Sequence, residues 1–169
     1  EHFAYPYLKD VYGADQAEKA KYAHLSGALS TIPYLVSVDE FQHRVYEKPT
    51  MSAKERRAVW HEIEQKYLPW RDYEGVPFLE EGGFWMQKQH IFLYPFYYVD
   101  YAFAQVCAFA FYGRMKQNHD AAWASYLTLC RAGGSKGYFE LLALAGLDIP
   151  FAEGSVEKAV RHVIEELNL

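Results

Sequence analysis

The chain has 169 residues, 51% of them hydrophobic and 23% charged, which is enough apolar material for one compact domain with a substantial core. That balance excludes disorder and a fibrous class. A net charge of −5 and a pI near 5.8 give no basic footprint, so no nucleic-acid partner is expected.

The opening residues, EHFAYPYLKDVYG, hold no initiator methionine, no basic n-region and no secretory apolar run, and the sequence reads as cut from something longer. Beyond them Tyr22, Leu25, Leu29, Ile32 and Val36 recur at three- and four-residue steps and predict a long helix, which Pro33 should kink or break. Asp39 and His43, four apart in VDEFQH, read as a hydrogen-bonded polar cluster packing helix against helix; as metal ligands they lack a third partner nearby. The capping-box pattern SAKE, Ser52 to Glu55, predicts a helix running to about Tyr67 and ended by Pro69. Inside it HEIEQ, His61 to Gln65, imitates a zinc-binding helix. Gln65 replaces the second imidazole, and Lys54, Arg56, Arg57 and Glu64 make this a solvated face rather than a metal site.

After the turn-rich PWRDYEGVPFLEEGG comes an apolar segment and then a helix that Pro95 opens at its first turn. The run from Ile91 to Gly113 is long enough to raise a membrane span. Asp100, Gln105 and several tyrosines make it a buried helix instead, and no membrane partner is expected. Asp120 to Ala132 and Lys136 to Ala145 are two more helices, divided by Gly133 and Gly134 and closed by Gly146. Ser155 caps a last one, with Val156, Val160, Val163, Ile164 and Leu167 on one side. Strand signals are scarce, so the fold class is all-α, with roughly six to eight helices. Cys107 and Cys130 lie in apolar stretches as small hydrophobes and point to a reducing compartment.

Two stretches invite chemistry. GGSKG, Gly133 to Gly137, lacks the spacing of a phosphate loop, and two readings stay open: a turn in which Ser135 caps the next helix, or exposed backbone at Gly133, Gly134 and Ser135 lining a peptide channel. In HIFLYPFYYVDY, residues 90 to 101, a helix would put Tyr97 and Tyr98 within three or four residues of Tyr101, just after His90. Phenol and imidazole groups suit a developing oxyanion, because they donate without burying a full charge. Residue types alone favour aromatic core packing.

Together IPYLVSVDEFQHRVYE, KYLPWRDYEG, GGFWMQKQHIFLYPFYYVDYAFAQVCA and AGGSKGYFELLALAGLD resemble the C-terminal catalytic portion of the oligoendopeptidase F family, zinc metallopeptidases related to thimet oligopeptidase. The resemblance covers nearly the whole chain, with its motifs in the expected order. It implies an enclosed, mostly helical catalytic domain that cleaves short peptides in a deep channel, with zinc held by an HExxH helix and a downstream glutamate. In the family those ligands lie upstream of the stretch that residues 1–169 match. Zinc is therefore expected in the intact enzyme and none on this chain alone, which by itself should be inactive. Glu1 resembles a glutamate just after the zinc-binding one and is not taken as a ligand.

The family histidine matches His90, with Gln89 standing where the family has glycine. By resemblance His90, Tyr98 and Tyr101 stabilise the transition state, while Tyr97, Gly133, Gly134 and Ser135 contact or channel the substrate. The implied partners are a short peptide substrate and the missing N-terminal part of the same protein. Absence of that part predicts an exposed apolar face and self-association. The implied location is the cytoplasm. Two other classes also fit: a zinc-free relative that binds peptides without cutting them, and a structural helical module in which His90 and Tyr101 are buried and bonded only within the domain.

Overall fold

Residues 1–169 form α-helices α1 (Leu8–Tyr12), α2 (Ala14–Glu47), α3 (Ala53–Tyr67), α4 (Pro77–Glu80), α5 (Gln89–Leu93), α6 (Asp100–Gln117), α7 (His119–Ala132), α8 (Tyr138–Ala145) and α9 (Ser155–Leu167) in the computed structural model. Two 3-10 segments, His2–Tyr7 and Phe84–Gln87, complete the regular structure, and there is no strand. The fold is all-α as expected, and the nine helices exceed the predicted six to eight because α1, α4 and α5 span only four or five residues each. No helix is long and apolar enough to cross a membrane.

The clearest boundary is the one dictated by Ser52. Its hydroxyl accepts the Glu55 N–H while the Glu55 carboxylate accepts the Ser52 N–H at 2.7 Å, closing the predicted box at the start of α3. Other expectations need correction. Pro33 sits inside an unbroken α2, where its missing N–H removes the partner of the Leu29 carbonyl, and the Ser37 hydroxyl donates back to the Pro33 carbonyl at 2.8 Å. Pro95 opens no helix, since α6 begins five residues later at Asp100. Ser135 caps nothing: α8 starts after Gly137, whose N–H is taken by the Glu140 carboxylate at 3.1 Å. Ser155 is the first residue of α9, preceded by Gly154 with φ 75°.

The chain divides into two units, Ser30–Ala102 and the pair of segments Glu1–Leu29 and Phe103–Leu169. In the first, Val38, Phe41, Trp60, Ile63 and Trp85 form the core, with Tyr34, Phe84, Ile91 and Tyr98 packed on it. Large aromatics carry most of this burial, each contributing a few kcal/mol. Gly82 lets the chain pass over α3: its φ is 87°, and a Cβ there would meet the Arg57 carbonyl oxygen at 2.1 Å.

In the second unit Phe111, Leu142, Ala145 and Leu147 form a core, and α9 buries Ala159, Val163 and Leu167. The predicted stripe of α9 is thus rotated, leaving Val156 and Ile164 more than one-third exposed. Tyr22, predicted on the buried stripe of α2, is also exposed, whereas Leu25 is buried. The Arg114 guanidinium closes α8 by donating to the carbonyls of Ala145 and Gly146. Cys107 is half-buried, its thiol pushed up by burial, but Cys130 is exposed, contrary to expectation.

His2 is buried among aromatics, with Tyr112 and Phe109 ring centroids at 4.9 and 5.6 Å. Burial pushes its imidazole down from 6.5 to about 4, with Glu1 opposing the shift. The folded state therefore holds His2 neutral where the unfolded chain protonates it, so stability is present above pH 6.5 and is lost as pH falls towards 4. Thermal unfolding of the chain should show a falling Tm as pH drops through that window, the unfolding free energy decreasing by at most about 1.4 kcal/mol per pH unit from this one proton. A His2→Phe variant should flatten the dependence between those pH values.

Candidate functional site

Helix α5 carries His90 in its first turn and stops where the Tyr94 N–H returns to the His90 carbonyl at 2.9 Å. The chain then reverses through residues 94–99 instead of continuing as helix. Phe96 takes φ 62°, a left-handed conformation that a bulky side chain rarely adopts. Its ring packs on those of His43 and Tyr46, with centroids at 4.8 and 5.0 Å. The reversal lays Tyr98 over His90 at 4.6 Å between centroids, sets Tyr101 edge-on to His90 at 6.2 Å, and places the two phenol rings 5.7 Å apart.

His90, Tyr98 and Tyr101 are therefore brought together, but by a turn and not by the common helical face expected from their spacing. Only Tyr101 lies in α6; Tyr97 and Tyr98 precede it. Tyr97 meets Tyr101 edge-on at 5.8 Å. His90 and Tyr98 are half-buried, whereas Tyr101 and Tyr97 are 48% and 52% exposed, which a purely packed aromatic cluster would not be. The Tyr101 hydroxyl makes no hydrogen bond within the chain. Gly133, Gly134 and Ser135 belong to the other unit, where they form the exposed turn between α7 and α8.

Sequence reasoning missed the cations behind this cluster. The Lys88 ammonium donates to the Tyr98 hydroxyl at 3.0 Å and lies over the rings of Tyr98 and Tyr34, 4.6 and 5.2 Å from their centroids. On Tyr34, whose phenol burial pushes up, a second cation bears: Arg71, 5.3 Å from that ring and 4.2 Å from Phe84. Arg71 is fixed by Glu64 at 3.0 Å, and Tyr73 donates to the same carboxylate. Glu64 is thus buried and paired, correcting the solvated-face reading of HEIEQ; His61 and Glu62 are exposed as that reading has it. The available signal was the motif KYLPWRDYEG, which carries both Arg71 and Tyr73 just beyond the end of α3. Asp39 and His43 approach to 3.5 Å along α2 itself. Burial raises the Asp39 carboxyl, Asp100 adding to the shift and His43 opposing it.

Residues 6–160 match the model of Peptidase family M3. The chain belongs to peptidase family M3. Its fold is similar to a solved oligoendopeptidase F, at 48% identity and TM-score 0.92, covering 97% of this chain and 29% of that one. It is equally similar to Pz peptidase A solved with an inhibitor, at 47% identity and TM-score 0.93, covering 99% of this chain and 30% of that one. An oligoendopeptidase F from Bacillus anthracis matches at 40% identity and TM-score 0.79, over 99% of this chain and 26% of its own. The chain thus spans under one-third of the length of these M3 structures. No curated protein matches it.

Family M3 implies zinc in the intact enzyme, but residues 1–169 do not fit a zinc site: no three His, Cys, Asp or Glu side chains are grouped to hold a metal. The nearest approach is Glu1 with His2 and His24, 3.6 and 3.5 Å from its carboxylate oxygens. These donors are turned to one another and to the protein. Gln105 donates to Glu1 at 2.7 Å, and Tyr5 engages His24 Nδ1 at 2.7 Å, while the buried His2 Nε2 has no hydrogen-bond partner.

The Glu64–Arg71 pair is what orients the ring system behind the site. Breaking a buried ion pair by removing one partner costs about 3–5 kcal/mol, because the other charge is left unpaired. Glu64→Ala should lower the unfolding free energy of the chain by that order in a urea titration. Glu62→Ala, on the exposed side of the same helix, should change it by less than about 1 kcal/mol.

Proposed function

We propose that the chain is the C-terminal part of the catalytic domain of a zinc-dependent oligoendopeptidase hydrolysing short peptides. In this reading it supplies groups that contact the substrate and the transition state, and the metal ligands lie elsewhere in the protein. The observation that carries the reading is the meeting of His90, Tyr98 and Tyr101 with the Tyr101 ring half-exposed and its hydroxyl unbonded. A structural module would bury and bond these groups internally; family membership and the M3 structures it resembles support the peptidase instead.

Attack on a peptide carbonyl develops negative charge on its oxygen. Tyr101, Tyr98 and His90 each offer an O–H or N–H that strengthens its bond as that charge grows. Tyr97 and the backbone of Gly133, Gly134 and Ser135 are assigned to the substrate's length. The rest of the peptidase is the natural cover for exposed apolar groups such as Tyr7, Val11 and Tyr12, and the chain without it should self-associate. A cytoplasmic setting belongs to the same reading, supported by two cysteines that stand unpaired.

Tyr101→Phe and Tyr98→Phe in the full-length peptidase test the proposal. Loss of an oxyanion donor lowers kcat by ~10²–10³, equivalent to about 2.7–4 kcal/mol. KM and bound zinc should stay nearly constant. Near-normal kcat in both variants would overturn the assignment.

A further inference from the structure

We infer that Lys88 is a positioning residue for the site: it fixes the direction of the Tyr98 hydroxyl so that the phenol's only proton faces the substrate. The inference rests on the peptidase reading above and adds to it a residue which that reading does not use.

The chemistry of the two groups sets the direction of their bond. An ammonium has three protons and no acceptor, while a phenol has one proton and two lone pairs. At 3.0 Å between Nζ and Oη, Lys88 donates and Tyr98 accepts, with no reversed alternative. Tyr98 makes no other hydrogen bond in the chain, so its proton has no internal acceptor. A hydroxyl that already accepts from a cation is also a better donor, because the two bonds polarise each other in the same sense.

Lys88 is itself held in place. It is half-buried and bears no carboxylate partner, unlike Lys21, Lys48, Lys66, Lys116 and Lys158, each of which pairs with an acid. Its charge rests instead on the faces of Tyr34 and Tyr98. The neighbouring cation, Arg71, is neutralised by Glu64. One uncompensated positive charge therefore remains beside Tyr98, and it belongs to Lys88. Its extended backbone immediately precedes α5, so the short segment that presents His90 also presents the ammonium.

The test uses the full-length peptidase with Lys88→Met, Lys88→Gln and Lys88→Arg, each with and without Tyr98→Phe. Lys88→Met should lower kcat about tenfold, as expected for losing a charge-assisted hydrogen bond, with KM and Tm little changed. Lys88→Gln, which can accept the phenol's proton and so turn it inward, should fall as far, and it serves in place of Lys88→Met if that variant folds poorly. Lys88→Arg, donor-only like lysine, should keep most of the turnover. In the Tyr98→Phe background Lys88→Met should have no further effect, since the hydroxyl it acts through is gone. The inference falls if the Lys88→Met penalty persists undiminished in that background, or is absent in the parent enzyme. Normal turnover in Tyr98→Phe beside an impaired Tyr101→Phe also defeats it, while leaving the peptidase reading intact. Normal turnover in both tyrosine variants defeats that reading and the Lys88 role with it.

Discussion

The left-handed backbone at Phe96 is the constraint on which the aromatic cluster depends. A non-glycine residue at φ 62° costs on the order of 1–3 kcal/mol and persists only where its surroundings hold it. Here the holding is done by the Phe96 ring, seated against His43 and Tyr46 near the end of α2. Were residues 94–99 helical, Tyr97 and Tyr98 would point about 100° apart on a continuous cylinder, and His90 would lie two turns away from Tyr98. The reversal brings residues eight positions apart into ring contact. Strain in the chain and convergence of side chains are thus two aspects of one turn.

Behind the turn the electrostatics are arranged in order of burial. Glu64 is the most enclosed charge in this unit and is given two donors, Arg71 and Tyr73, which together offset the cost of removing a carboxylate from water. Arg71, so fixed, lies along the faces of Phe84 and Tyr34, and Tyr34 stands edge-on to Tyr98 at 6.0 Å. Each contact is modest, and their value lies in continuity from a buried carboxylate to a half-buried phenol. The same rings that complete the hydrophobic core thereby set the position of polar groups at its edge.

Local signals were legible where a residue acts on its own backbone. Ser52 and Glu55 announce their cap, and Gly146 its left-handed stop, because the partners lie within one turn. Registers were less legible. On α9 the valines and isoleucine suggest one stripe, yet Ala159 is buried and Val156 is not, because the face that turns inward is set by the neighbouring helices and not by the helix's own apolar count. The charge pattern of α3 does not disclose the burial of Glu64, because its partners Arg71 and Tyr73 stand beyond Pro69, outside that helix. Lys88 was passed over for a related reason: a lysine among glutamines reads as solvent-facing, and only three dimensions supply the two rings on which it rests. The grouping of His90, Tyr98 and Tyr101 comes from family resemblance, and a turn, not a shared helical face, brings their rings together.

That geometry also makes the two phenols unequal. Tyr98 is half-buried, packed at a tilt against His90 and tethered through its oxygen, so its hydroxyl has little freedom left to lose. Tyr101 stands in the first turn of α6, half-exposed and edge-on to its neighbours, with its hydroxyl free of any internal bond that would fix its direction. A donor fixed beforehand stabilises developing charge without reorganising, whereas a hydroxyl free to rotate adjusts to where the charge appears at some cost in entropy. Under the proposed peptidase reading, Tyr98 is the preorganised donor and Tyr101 the adaptable one. On that reading a cluster of this kind would tolerate variation in the bound peptide through Tyr101, while Tyr98 would keep one hydrogen-bond direction constant from substrate to substrate.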